Sequence, residues 1–362
     1  MMRQANEVDF WRGFALVSIF INHIPDNAYE RLTHRNLGLS DSAELFVFLA
    51  GWSLRLLVDS RAQTLPTTRL VLRLSGRGLT LHAAQIMITI LALAMLAAAA
   101  LYFDTPPLLE WHNAAAFFGS VVPTIIGVVL LSHHLGYFDI LPLYVVLMHA
   151  APIVAVTRRW SPNSLLPVSL AIYLAALVLQ VNMPTWPVEG RWFFNPFAWQ
   201  LIFILGFELA DPTSNAGAWI RRHRVPLRWL AAGGVGLGGL AVLLHVWPDP
   251  TSVPRPHLFF VFNKTYLSPA RLLHFLSLAM LFAGAFSWLH GHVSLLTRFL
   301  SMLGRNSLIV FCVLSLLSLA GQLVQFRFGA GLFVDTLVVG SGLVLLGLTA
   351  WVAELQDRLL SR

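Results

Sequence analysis

Long apolar runs separated by short polar connectors dominate the pattern of this chain. A helix that crosses a membrane needs about 20 apolar residues, and most of the runs approach or exceed that length. Eleven apolar segments are found, at residues 10–24, 43–58, 79–103, 114–132, 140–157, 164–182, 197–210, 227–246, 270–289, 299–321 and 331–353. The pattern predicts an all-α fold, a polytopic bundle of transmembrane helices.

The arginines between these segments predict how the chain is threaded through the membrane. They cluster at residues 61–77, 158–159, 221–228 and 358–362, and basic clusters in short connectors normally stay in the cytoplasm. Three segments separate the first two clusters, an odd number that cannot return the chain to the same side. One of segments 79–103, 114–132 and 140–157 is therefore expected not to cross fully. We predict about ten crossings, with the N- and C-termini cytoplasmic.

Composition supports a membrane protein and restricts the classes of partner. The chain is 57% hydrophobic and 11% charged, with a mean hydropathy of +0.71, so a single integral-membrane domain is expected over residues 1–362. The formal net charge of +7 comes from the scattered arginines, which indicates the lipid bilayer and no nucleic acid as a partner. The single cysteine, Cys312, lies in an apolar run, so neither a disulfide within the chain nor a metal site is expected.

Polar residues concentrate around the first two apolar segments. Ionisable groups at membrane depth are costly and usually mark function. His23 is the first candidate for proton transfer, because imidazole titrates near neutrality. Asp26 is placed to orient its ring, and Asn22 to stabilise an oxyanion. A histidine at a helix end is also often structural, and that alternative stays open.

His34 competes with His23 for the same role. It precedes Asp41 and Glu44, which lead directly into the second apolar segment. An acidic residue at a helix start is explained by capping, and this accounts for Asp41. Capping does not require Glu44 to enter an apolar helix, so both acids are kept as candidates to bind substrate or a proton.

Further polar residues are candidates for substrate binding. Asp9 and Arg12 share a helix face, and a structural ion pair is the simpler explanation for them. Arg271 and His274 have the same spacing, and Arg305 lies in the polar break G-R-N-S. The aromatic-rich outer connector that includes Glu189, Arg191 and Asn195 would suit a carbohydrate, although an interfacial aromatic belt explains its tryptophans equally well.

Two stretches of sequence carry a resemblance to known proteins. D-F-W-R-G-F-A-L-V-S-I-F-I-N-H-I-P-D-N, followed by R-N-L-G-L-S-D-S-A-E-L-F-V-F-L-A-G, resembles the N-terminal signature of OpgC-type membrane proteins. The segments F-D-I-L-P-L-Y-V-V-L-M, F-F-N-P-F-A-W-Q and L-G-R-N-S-L-I-V-F-C extend the resemblance over essentially the whole chain. The opening is also distantly similar to the acyltransferase-3 and heparan glucosaminide acetyltransferase membrane enzymes.

The resemblance implies a function. It suggests a bacterial inner-membrane O-acyltransferase that moves an acyl group, such as succinyl, from acyl-CoA to hydroxyls of a periplasmic glucan or another envelope glycan. Acyl-CoA would be a donor substrate, with no bound cofactor, and a homo-oligomer is possible. The acyltransferase-3 analogy assigns the essential histidine to His23, whereas the glucosaminide acetyltransferase analogy assigns it to His34, ten residues before Glu44.

Two functions of other classes stay open. Polar residues at helix ends also suit a secondary transporter or flippase for an anionic or glycan-linked small molecule. A non-catalytic partner of a polysaccharide machine is the third possibility. Transfer of a labelled acyl group from acyl-CoA would separate an enzyme from both.

Overall fold

The computed structural model describes residues 5–62, 65–211 and 214–360, with side chains described except at 60–62 and 215–216. It confirms the all-α class, with 76% of the residues in helices and 1% in strands. Of the arginine clusters, the side chain of Arg61 and the whole of Arg362 lie outside what the structure describes.

Fifteen α-helices and one small hairpin make up the described part of the chain. The helices are α1 Glu7–Asn22, α2 Ser42–Ala62, α3 Thr67–Tyr102, α4 Ala115–Gly119, α5 Val121–Val129, α6 Ile140–Trp160, α7 Leu165–Leu179, α8 Pro196–Leu209, α9 Asn215–Arg222, α10 Arg224–Leu243, α11 Pro269–Phe282, α12 Ala285–His292, α13 Ser294–Arg305, α14 Ser307–Phe328 and α15 Leu332–Leu360. Strands β1 Pro184–Thr185 and β2 Gly190–Arg191 pair antiparallel. Short 3₁₀ helices occupy Ala28–Leu32, His34–Leu37, Pro106–Asn113 and His257–Phe259.

Five of these helices are long and apolar enough to cross a membrane: α3, α6, α10, α14 and α15. The pair α11 and α12, bent by 54°, forms a sixth candidate if it is one broken span. Helices α7 and α8 are apolar but shorter, at 15 and 14 residues. The chain is thus a membrane protein with five or six candidate spans, while ten crossings and cytoplasmic termini stay predictions.

Among segments 79–103, 114–132 and 140–157, the second is the one whose helices are too short to cross. It divides into α4, of five residues, and α5, of nine. Nine helical residues rise only about 14 Å, against roughly 30 Å of hydrocarbon. The neighbouring helices α3 and α6 have 36 and 21 residues. This identifies which of the three segments named from charge parity is interrupted.

Segment 299–321 is not one helix. It begins within α13 and continues in α14, and the two helices meet at Asn306, inside the polar sequence G-R-N-S. The hydrophobic pattern predicts one continuous segment here, because only the three residues Arg305 to Ser307 are polar at the junction.

The first two helices lie in the middle of the bundle. Helix α1 packs against α13, α2 and α14, and α2 packs in turn against α8. Leu16 and Phe20 of α1 and Val47 of α2 are fully buried. Since α1 ends and α2 begins at the same end of the bundle, their polar residues meet there.

Candidate functional site

A cavity of about 350 Å³ lies where α1 ends and α2 begins. Its walls come from five parts of the chain, among them the residues before α6 and the connectors before α8 and α11. Polar and charged groups line it: Asn22, His23, Arg35, Asp41, Asp139 and Lys264, with Tyr137, Phe193 and Phe194 as aromatic walls. We call this the His23 cavity.

An ion network extends from the wall of the His23 cavity, which Asp41 and Lys264 line. The Nζ atom of Lys264 lies 2.5 Å from Oδ2 of Asp41, and Nη2 of Arg271 lies 3.5 Å from the same oxygen. Arg271 also donates from Nε and Nη2 to Oε1 of Glu44, at 2.9 and 2.7 Å. Two carboxylates and two cations therefore neutralise one another at the start of α2.

The start of α2 explains why both acids sit there. Oδ1 of Asp41 accepts a hydrogen bond from the backbone N–H of Ala43, at 2.8 Å, and Oε2 of Glu44 accepts one from the N–H of Asp41, at 2.9 Å. These bonds satisfy free donors at the helix end. Burial would raise the pKa of Asp41, but the positive charges of Lys264 and Arg271 hold it below its ordinary value.

Part of the His23 side chain lines the cavity. Its Nδ1 atom is buried and has no hydrogen-bond partner among the described residues. The ring lies 5.2 Å from that of Tyr137, centroid to centroid. The His23 carbonyl accepts a 2.6 Å hydrogen bond from Nε2 of Gln322. The bond from Gln322 therefore fixes the backbone at the end of α1, and Nδ1 of the ring is left without a partner.

Asn22 lies beside His23 on the same cavity wall. Its side-chain oxygen accepts a 2.8 Å hydrogen bond from the hydroxyl of Thr33. In the part of the chain that the structure describes, the NH₂ group of Asn22 donates no hydrogen bond. It is therefore available to donate to a ligand in the cavity.

Asp26 does not reach the imidazole of His23. It has a left-handed backbone, with φ of 60°, and lines a different cavity with Asn27 and Asp335. Within the described ranges it makes no hydrogen bond to His23. The carboxylates that share a cavity with His23 are Asp41 and Asp139.

His34 and His274 form a second group of histidines, which we call the enclosed cluster because His274 is 4% exposed, while His34 is half-buried. Nδ1 of His274 lies 2.8 Å from the hydroxyl of Ser40, and the His34 ring lies 5.6 Å from that of Phe14. Nδ1 of His34 and Nε2 of His274 are buried without partners among the described residues. Burial lowers the pKa of His34, against the opposing effect of a hydrogen bond with the Asp41 backbone. Neither histidine lines the His23 cavity.

Two glycines make room for the imidazole of His274. A Cβ atom on Gly38 or Gly238 would overlap the ring. Gly238 belongs to the glycine-rich stretch of α10, which packs against α11. That stretch therefore allows close helix packing, as small residues do in membrane bundles.

The remaining predicted binding residues lie elsewhere. Nη1 of Arg12 lies 3.6 Å from Oδ1 of Asp9 and donates to the Gly304 carbonyl at 3.3 Å, near the start of α1. Arg305 donates to Oε1 of Glu354, from Nε at 2.9 Å and from Nη2 at 2.7 Å. The ion pairing expected of Asp9 and Arg12 is present, and neither pair faces the His23 cavity.

The connector before α8 contributes aromatic rings to the His23 cavity, whereas its charged residues do not line it. Asn195 caps α8, since its Oδ1 accepts from the N–H of Phe197 at 3.1 Å, and its Nδ2 donates to the Val181 carbonyl at 2.7 Å. Arg191 donates to the Asn182 carbonyl at 3.3 Å, and Glu189 is exposed in the hairpin. Phe193 and Phe194, which lie between Arg191 and Asn195 in the sequence, line the His23 cavity.

Lys264 and Asp139 are cavity residues that sequence reasoning did not select. Lys264 is unusual in the sequence, because it is the only lysine among the 24 lysine and arginine residues. Asp139 lies directly before α6, and burial raises its pKa to about 7, although the charge of Lys264 opposes the shift. Its Oδ1 lies 3.6 Å from Nδ1 of His134.

The fold and the site together define a class: an integral membrane protein of α-helices with a charged, aromatic-walled cavity at one end of its bundle. The family model described as "OpgC protein" matches residues 3–358, so the chain belongs to the OpgC family. A comparison with curated proteins finds no match.

Proposed function

We propose that this chain is a membrane O-acyltransferase. It would transfer an acyl group from acyl-CoA to a hydroxyl of a periplasmic glucan or another envelope glycan, with succinyl as the acyl group that the family resemblance implies. The observation that carries the proposal is the unpartnered imidazole of His23 in a cavity with charged and aromatic walls. Aromatic faces beside hydrogen-bonding groups suit a sugar, and a neutral imidazole can accept a proton.

His23 would act as the general base. Its free nitrogen takes the proton of the acceptor hydroxyl as the hydroxyl oxygen attacks the thioester carbonyl. The NH₂ group of Asn22 would donate to the oxyanion that forms. When the carbon–sulfur bond breaks, the proton returns to the departing thiolate, which leaves as free CoA. Asp41 and Asp139 would replace Asp26 as the carboxylates near the ring.

Lys264 would contribute a positive charge to the acceptor or acyl group. Its Nζ lies 5.4 Å from the centroid of Phe194 and 5.8 Å from that of Phe193, so the charge is held over two aromatic rings. A dicarboxylic acyl group carries a free carboxylate that this ammonium group would attract. Arg271, which is committed to Glu44, would instead keep the start of α2 in place.

The test is transfer by the purified protein. In nanodiscs, wild type is incubated with succinyl-CoA or acetyl-CoA and periplasmic glucan, and free CoA and acylated glucan are measured. Acylated glucan that appears in step with free CoA is expected. If no donor gives a product, the O-acyltransferase proposal is wrong, and uptake of labelled anions into proteoliposomes would then favour a transporter.

A further inference from the structure

A second cavity, of about 260 Å³, lies one helical turn from the first. Both cavities are lined by α2 and α6: Ala43 and Ile140 face the His23 cavity, while Phe46 and Tyr144 face the second one. Three or four residues along a helix keep the same face and advance roughly 5–6 Å. The two cavities therefore follow one another along the same pair of helix faces.

An aromatic partition stands at the second cavity. The ring of Phe46 lies 5.7 Å from that of Tyr144 and 5.7 Å from that of Phe311, centroid to centroid. Phe46 and Phe311 are 5% and 1% exposed. The three rings of this partition belong to side chains, which can change position by rotamer changes.

Three arginines lead along α3 to the second cavity. Arg69, Arg73 and Arg77 are spaced four residues apart, so they form one stripe about 12 Å long. All three are exposed, and Arg77 lines the cavity. Arg12 lies within electrostatic reach of Arg77 and Tyr144 and adds positive potential there.

This stripe differs from three arginines that hold carboxylates elsewhere in the bundle. Arg55, Arg271 and Arg305 each have a carboxylate partner within 2.7 Å. Within residues 5–62, 65–211 and 214–360, no carboxylate pairs with Arg69, Arg73 or Arg77. Guanidinium groups bind phosphate through paired hydrogen bonds, so an unpaired row of them suits a ligand with several phosphates.

We infer that Arg69, Arg73 and Arg77 bind the phosphates of the acyl-CoA donor, and that its thioester arm occupies the second cavity. This inference rests on the proposed acyl transfer. The thioester would reach the partition at Phe46 from one side, and the acceptor hydroxyl would approach His23 from the other. The carbon–sulfur bond then breaks at the partition, the acyl group passes to the acceptor oxygen, and the thiol stays on the donor side.

Direct binding of CoA tests the phosphate site without any turnover. Purified protein in nanodiscs of zwitterionic lipid is titrated with CoA by calorimetry. The triple variant Arg69→Gln, Arg73→Gln, Arg77→Gln should bind at least about tenfold more weakly, while Arg298→Gln, an exposed arginine of α13, should match wild type. The single variant Arg77→Gln, with a smaller loss, covers the case in which the triple variant does not fold.

A labelling experiment places the arm in the second cavity. Thr80 lines this cavity, and Cys312 is the only native cysteine, so Thr80→Cys in a Cys312→Ser background gives one reactive thiol there. CoA should slow maleimide labelling of this thiol. Addition of phosphatidylglycerol to the nanodiscs without CoA should leave the rate unchanged.

The outcomes separate this inference from the proposed function. If wild type binds CoA and transfers acyl groups while the arginine variants bind equally well, the phosphate site is wrong and the acyltransferase proposal survives. If phosphatidylglycerol protects the thiol as well as CoA does, the stripe is a lipid headgroup site and the inference is wrong. If wild type binds no CoA, the inference fails, and so does the donor assigned in the proposed function.

Discussion

The His23 cavity and the enclosed cluster of His34 and His274 contain the same chemistry in different surroundings. Each holds imidazole nitrogens that are buried and unpartnered among the described residues. His23 lines a cavity of about 350 Å³, whereas Gly38 and Gly238 close tightly around His274 and Phe14 lies against His34. His23 and His34 are both half-buried, so the regions differ in the cavity, which His23 lines and His34 does not.

The ion network between these regions should carry the largest effect on stability. Arg271→Gln would leave the fully buried carboxylate of Glu44 without its cation, and loss of one partner of a buried pair costs about 3–5 kcal/mol. Unfolding by denaturant in detergent measures this. The control is Arg35→Gln, which removes the more exposed pair with Glu30 and should cost about 1 kcal/mol or less. Equal losses for the two variants would contradict the network.

Fold and site differ in how far the sequence predicts them. The apolar segments predict the helix bundle. Asp41 and Glu44 can also be predicted, because acidic residues next to an apolar run form a local sequence pattern. The partners of Asp41 were out of reach, since Lys264 and Arg271 are 223 and 230 residues away in the chain. Closeness in sequence to His23 favours Asp26 as its partner, but Asp26 lines another cavity, with Asn27 and Asp335.

Overpacking should affect the enclosed cluster next most strongly. Gly238→Ala places a methyl group against the ring of His274 and should destabilise the protein by about 1–3 kcal/mol. Gly236→Ala, on the same helix with open space at its Cβ, is the matched control and should not destabilise. Thermal unfolding compares the two. If transfer per folded molecule also collapses in Gly238→Ala, the enclosed cluster takes part in the reaction.

Loss of the charge of Lys264 should have a smaller effect, and this effect is on the transfer rate. Lys264→Met removes the cation beside Asp41 and should lower the transfer rate about tenfold, or about 1.4 kcal/mol. Lys264→Arg keeps the charge and should retain more activity. Rates with succinyl-CoA and acetyl-CoA are compared for both variants. A loss that is equal for the two donors would show that Lys264 does not recognise a carboxylate on the acyl group.

The pH dependence of stability tests the surroundings of Asp139. Burial raises the pKa of Asp139 to about 7, so the folded protein favours its neutral form. That contribution is fully present below the ordinary carboxyl pKa of about 3.9 and is lost as pH rises through about 7. Asp139→Asn should therefore lose less stability than wild type between about pH 4 and pH 8. Parallel pH curves of the unfolding free energy would contradict this assignment.

Transfer by two histidine variants tests the central claim most directly. His23→Ala and His34→Ala are assayed side by side for acylated glucan, each normalised to folded protein, with the exposed His292→Ala as control. Our account predicts that His23→Ala loses roughly 10²- to 10⁴-fold in rate, the usual range for a general base, while His34→Ala keeps most of its activity. Full activity in His23→Ala, with loss in His34→Ala, would assign the reaction to the enclosed cluster instead.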